Sequence, residues 1–158
     1  MRRALREYIE ALHQGRCGYC GVSETGTGAA LTVDHFRPRS QGGDDEEDNL
    51  VLRCHACDEF KGDYWPSQTE LMLIHPRKEE PSQFLREGED GVLVALHPRG
   101  EVQIARLHLN RAPAVARRAQ DRKQARLLEA HEKALATIQA AEERTRVLED
   151  ALRRARST

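Results

Sequence analysis

The chain has 158 residues, of which 39% are hydrophobic, 4% aromatic and 32% charged, with a formal net charge of −1. That length holds one domain, or one small domain with an appendage, and so few apolar side chains predict a small core. No run of 18 apolar residues exists to form a membrane-spanning helix, and the overall charge excludes a uniformly basic, phosphate-coating protein.

The charge is unevenly spread. Asp44-Asp45-Glu46-Glu47-Asp48 puts five acidic residues in one run, whereas residues 111–158 carry 12 Lys/Arg against 7 Asp/Glu. Local patches of this kind decide contacts with phosphate. The start, Met1-Arg2-Arg3-Ala4-Leu5-Arg6, leads into no signal-peptide core. The chain is therefore expected in the cytoplasm, where cysteines stay reduced and favour metal over disulfides.

Residues 3–14 have Leu5, Tyr8, Ile9 and Leu12 at helical spacing, with Gly15 as a stop. Cys17-Gly18-Tyr19-Cys20-Gly21 follows as a tight knuckle, then a polar loop over 23–29. Leu31-Thr32-Val33 reads as a short strand delivering Asp34 and His35. After a long Gly-rich and acidic loop, Asn49-Leu50-Val51-Leu52 begins a second strand. Cys54-His55-Ala56-Cys57 then opens a short helix from about Ala56 to Lys61. Further on, Val92–Leu96 reads as a strand after the turn Glu89-Asp90-Gly91, and Val102, Ile104 and Leu107 suggest a short helix. From Pro113 to about Arg156 there is no Gly or Pro, which predicts one helix of roughly 40 residues, about 60 Å long. The expected regions are 1–66, a small α/β extension over 67–110, and a long helix over 111–158.

The four cysteines form two Cys-x-x-Cys pairs, Cys17/Cys20 and Cys54/Cys57, around a 33-residue insert. This spacing reads as a closed, structural zinc site with four thiolate ligands. No coordination position is left for catalysis, so the chemistry must lie with Asp34, His35, Asn49, Asp58 and Lys61. His55 lies between two ligands and reads as surface. His13, His75, His97, His108 and His131 show no partner pattern.

These stretches resemble the HNH, or ββα-metal, nucleases, in the subgroup with a four-cysteine zinc frame. The matching elements are Cys17-Gly18-Tyr19-Cys20, Asp34-His35-Phe36-Arg37-Pro38, Gly42-Gly43, Asn49-Leu50, and Cys54-His55-Ala56-Cys57-Asp58 with Lys61. They cover about a third of the chain. The resemblance implies an α+β fold built on a strand–loop–strand–helix unit, cleavage of nucleic-acid phosphodiesters, and a divalent metal distinct from zinc. It also implies that Asn49 pins the loop that orients His35. HNH proteins of this size further resemble effector subunits of anti-phage and restriction systems.

The residue chemistry points the same way. An unperturbed histidine has its pKa near working pH, so the residue type at His35 suits a general base. Asp34 and Asp58 offer oxygen ligands to Mg²⁺ or Mn²⁺. The family most often has Asn or His at the position of Asp58, so Asp58 adds a negative charge. Neighbouring strand residues point to opposite sides, so Asp34 and His35 need a kink at the strand end to share a site. Lys61, Arg37 and Arg39, and more weakly Arg53, are candidate phosphate contacts. The plainer readings are a helix cap for Asp58, a solvated lysine for Lys61 and a solvated loop tip for the acidic run. The site chemistry attacks DNA or RNA alike. Leu127, Leu128, Ala134, Leu135, Ile138, Ala141, Leu148, Leu152 and Ala155 form a stripe near heptad spacing, which predicts a homodimer or docking to a protein partner. The alternative function is an inactive zinc module that binds nucleic acid or a protein.

Overall fold

A computed structural model describes residues 3–156, so the parts of the expectations that fall on Met1, Arg2, Ser157 and Thr158 lie outside the described residues. The chain divides into two compact units, Met1–Ala119 and Gln120–Thr158. In the first, α1 (Arg3–Leu12) packs on an antiparallel pair, β1 (Thr32–His35) and β2 (Leu50–Arg53). The register sets Thr32 opposite Arg53, Asp34 opposite Val51 and His35 opposite Leu50. Helix α3 (His55–Lys61) follows β2 directly. This is the strand–loop–strand–helix order that the motif spacing predicts.

Hydrophobic burial explains why this unit is sound despite its size. Every residue of β2 is buried, and Leu31, Leu50, Leu52, Ile9, Leu107 and Leu109 are at most 1% exposed. Of the α1 stripe only Ile9 is buried, while Tyr8 and Leu12 remain largely open. Leu73, Leu107 and Leu109 belong to the same core cluster as Leu50 and Leu52. Residues 67–110 thus help complete the core of the first unit.

Several short elements differ from expectation. The polar loop after the first knuckle contains α2 (Glu24–Thr27), because Ser23 caps it by accepting from the Gly26 amide at 3.2 Å. The strand near Val92 is β4 (Leu93–Ala95), and it pairs with an unexpected β3 (Leu85–Glu87). Three residues are too few to show an alternating pattern. Helix α4 (Pro98–Arg106) begins before the expected Val102, because His97 caps it and Pro98 occupies its first turn.

Helix α5 (Ala112–Ala155) starts inside the first unit. There the buried Arg118 donates to the carbonyls of Gly91 at 2.6 Å and Leu109 at 2.9 Å. The helix backbone passes so near the β3–β4 turn that a Cβ on Gly91 would lie 2.4 Å from the Val115 carbonyl oxygen. In the second unit Leu127, Leu128, Leu135, Ile138, Val147, Leu148 and Leu152 are all exposed. Among the described residues no helix is long and apolar enough to cross a membrane.

A half-buried ion pair fastens the 67–110 segment. Arg99 grips Glu79 with two nitrogens, at 2.5 and 2.9 Å, and donates to the carbonyls of Met72 and Leu73. The Arg99 hydrogen bond holds the Glu79 carboxyl below its usual pKa of 4.5. A depressed folded-state pKa stabilises the fold above the ordinary value, and the benefit is lost as pH falls through the folded one. Glu79→Gln is expected to lower stability at neutral pH and to flatten its decline below pH 4.5. Urea unfolding midpoints measured from pH 7 downward check this; parallel curves for the two proteins would refute it.

Candidate active site and metal centre

The first knuckle is shaped by backbone hydrogen bonds. The Cys17 amide donates to Val22 O and the Gly21 amide to Cys17 O, each at 2.8 Å, and the Gly18 amide reaches Leu52 O of β2. The second pair straddles the start of α3, with Cys54 as the residue that precedes the helix and Cys57 in its first turn. All four Sγ atoms lie within 4.8 Å of one another, and Cys20 Sγ is 3.7 Å from Cys54 Sγ. Tetrahedral zinc with bonds of about 2.3 Å separates its sulfurs by about 3.8 Å, so the donor set fits that ion. The sulfurs crowd one another. Hydrogen bonds led by that from Cys17 hold the Cys54 thiol low, while Cys57 is pushed up. Only a cation lets all four ionise together.

His35 ends β1, and the Phe36 amide donates to Asn49 O at 2.7 Å just beyond it. At this strand end Asp34 and His35 do come together: His35 Nδ1 lies 3.7 Å from Asp34 Oδ1. The other ring nitrogen, Nε2, is 2.7 Å from Asp45 Oδ1. Arg39 Nε also approaches Nε2, at 3.3 Å; in the tautomer that donates Nε2–H to the Asp45 carboxylate, Nδ1 is left free to accept. In that neutral ring Nδ1 is the basic nitrogen. Arg39 holds Asp45 in turn, with Nη2 at 2.5 and 2.6 Å from its two oxygens. These contacts keep the Asp45 carboxyl below its ordinary range, the His35 hydrogen bond contributing most. The acidic run is solvent-exposed, as a loop tip should be, but sequence spacing does not mark Asp45 within it as a partner of His35. Its place in a five-residue acidic run hides it.

Asp58 is the fourth residue of α3 and its amide donates to Cys54 O. It is therefore not the helix cap. Its side chain turns toward Asp34, and both carboxylates meet Arg53, whose Nη2 lies 2.7 Å from Asp34 Oδ2 and 2.5 Å from Asp58 Oδ1. Two carboxylates converging on one positively charged nitrogen suit a cation. Among the described residues, however, the four cysteines are the one group of three or more ligand side chains close enough to share an ion. Arg53 is buried, so it does not present the phosphate-binding surface expected of it.

The loop between the strands is held from inside. Asn49 Oδ1 accepts from the Arg37 amide at 2.8 Å, and its Nδ2 donates to Arg37 O at 3.1 Å and Asp44 O at 2.8 Å. Gly43 lies so close to this crossing that a Cβ there would sit 1.9 Å from Arg37 O. Lys61 is wholly buried, not solvated, and its Nζ donates to the His35 carbonyl at 3.0 Å. Burial lowers its pKa to about 8, and it sits beneath His35 rather than on the face that a phosphate would reach. Arg37 and Arg39 are exposed. Arg37 also donates to Gln41 O and lies over Trp65.

Two residues that the motif spacing does not mark brace the same loop. His75 accepts the amides of Arg77 and Lys78 at Nδ1, which leaves Nε2–H to donate to Asp48 O at 2.9 Å. Its ring also packs 4.4 Å from that of Phe36. Arg77 donates to the carbonyls of Glu47 and Leu50. Both lie outside the cysteine frame, and a lone His or Arg carries no spacing signal.

Residues 17–63 match the HNH family, described as HNH endonuclease. The chain carries an HNH domain. Over 146 residues it is 25% identical to Septu protein PtuA of Bacillus mycoides (strain KBAB4), covering 73% of this chain and 20% of that protein. The chain thus spans about a fifth of the length of that relative. No solved structure gives a significant match.

The thiolate cluster carries a direct test. Metal binding contributes on the order of 10–16 kcal/mol in small zinc domains. Cys54→Ser is expected to lose bound metal and the cooperative thermal transition, as read by elemental analysis and circular dichroism. A folded, metal-free Cys54→Ser chain would contradict it.

Proposed function

We propose that this HNH domain is a metal-dependent endonuclease that hydrolyses phosphodiester bonds of DNA. The observation that carries the reading is the convergence of Asp34, His35 and Asp58 at the junction of β1 and α3, beside a thiolate cluster that fits structural zinc. His35, with Nε2 engaged by Asp45, takes the proton of the attacking water at Nδ1. Asp34 and Asp58 are the residues that would hold a Mg²⁺ or Mn²⁺ ion, and the ion would supply neutralisation of developing negative charge. Asn49 and Lys61 keep the His35 backbone in place, and exposed Arg37 and Arg39 meet the flanking phosphates.

The reading extends to a cytoplasmic anti-phage or restriction effector. It is supported by the small-HNH resemblance and by the similarity to Septu protein PtuA. The apolar residues along α5 are the surface for assembly with a second copy or a protein partner.

Plasmid DNA incubated with the zinc-loaded chain and Mg²⁺ or Mn²⁺ is expected to be cut. His35→Ala should reduce cleavage by roughly 10²–10⁴-fold with zinc content and fold unchanged. Asp58→Ala should abolish cleavage where Asp58→Asn retains some. Cleavage indifferent to His35→Ala, or no cleavage of DNA or RNA by the parent, would favour a binding module instead.

Assembly is tested by light scattering on the purified chain. A dimer at tens of micromolar is expected, and Leu135→Glu with Leu148→Glu should render it monomeric. A parent chain already monomeric at that concentration would leave a separate protein as the partner.

A further inference from the structure

Arg53 is the charged group in the site that the proposed chemistry leaves without a role. It closes β2 on the same sheet face as Asp34, and its side chain is only 10% exposed. Arginine ordinarily meets a carboxylate with two parallel N–H donors. Here a single nitrogen, Nη2, is shared between Asp34 and Asp58, while Nε and Nη1 are buried with no hydrogen-bond partner. The guanidinium is therefore held by charge at the point where the two carboxylates converge, at the expense of its own hydrogen bonding.

We propose that Arg53 is an internal counter-cation of the Asp34–Asp58 pair, which competes with a divalent metal for those carboxylates and so sets the site's affinity for it. The inference rests on reading Asp34 and Asp58 as the metal-holding pair. The charge balance supports it. The ammonium of buried Lys61 also acts electrostatically on Asp34. Two carboxylates thus face two resident cations, and the site is already near neutral without metal. A divalent ion arriving there meets like charge a few ångströms away in a partly buried setting, where screening is weak. It gains both oxygens only if the guanidinium gives way. The proposal assigns to Arg53 a selectivity role: an ion must be a strong enough ligand acceptor to displace it.

The test is Mn²⁺ binding rather than cleavage. The full zinc-loaded chain is titrated with Mn²⁺, and the free ion is followed by electron paramagnetic resonance at fixed pH and ionic strength. Arg53→Met and Arg53→Gln, which remove the charge, are expected to bind Mn²⁺ roughly tenfold tighter than the parent, while Arg53→Lys stays within about threefold. If Arg53→Met loses zinc, Arg53→Gln decides alone. Neutral variants that keep zinc and fold but bind Mn²⁺ no more tightly overturn the proposal. Loss of zinc and fold in both neutral variants also overturns it, by making Arg53 a structural ion pair. Asp34→Asn and Asp58→Asn, placed in the parent and in the tightest variant, separate the two levels. If neither weakens Mn²⁺ binding, the metal-pair reading itself fails; if both do while neutral Arg53 variants show no gain, only the role of Arg53 fails.

Discussion

Four sulfurs within 4.8 Å of one another fix the rest of the site. They join a knuckle near the N-terminus to the first turn of α3, across 33 intervening residues that include both short strands. A two-stranded ribbon is marginal on its own. With the knuckle tied to β2 through Gly18 and to α3 through the thiolates, the ribbon has fixed ends. Asp34 on β1 and Asp58 on α3 can then face each other at hydrogen-bonding range of one nitrogen. The thiolate cluster and the group formed by Asp34, His35 and Asp58 are separate in chemistry and joined in geometry.

Inside that frame, position is set by backbone contacts more than by side-chain contacts at the surface. The His35 carbonyl receives Lys61, and the residues after it are gripped by Asn49. An exposed pair, Asp45 and Arg39, then acts on the imidazole itself. Lys61, which anchors the His35 carbonyl, is buried, whereas Asp45 and Arg39 are exposed.

The frame is legible in the sequence because cysteine pairs, Asp-His and Gly-Gly carry geometry in their spacing. That spacing places β1, β2 and α3 within a few residues, and the lack of Gly and Pro after Pro113 does the same for the long helix. It does not reveal β3, which is three residues long, or the start of α4, which depends on capping by His97. Lys61 departs from its expected place for a physical reason: a lysine three residues after an acid on a helix reads as surface, and only the packed structure shows a carbonyl beneath it. Arg53 departs in the same way, since a charge ending a strand gives no hint that two carboxylates enclose it. His75 and Arg77 are silent because loop bracing through main-chain carbonyls needs no pattern.

The bracing by His75 and Arg77 has a bearing on portability. The segment that matches the HNH family stops at residue 63, yet the loop preceding Asn49 is propped by residues 75 and 77, and the core over the strands is closed by Ile9, Leu107 and Leu109. The family motif is therefore not a cassette. Transplanted alone, residues 17–63 would carry the ligands and the histidine but lack the struts that hold the histidine's loop. Sequence drift in the outer segment would then be felt at the site, although none of it touches the motif.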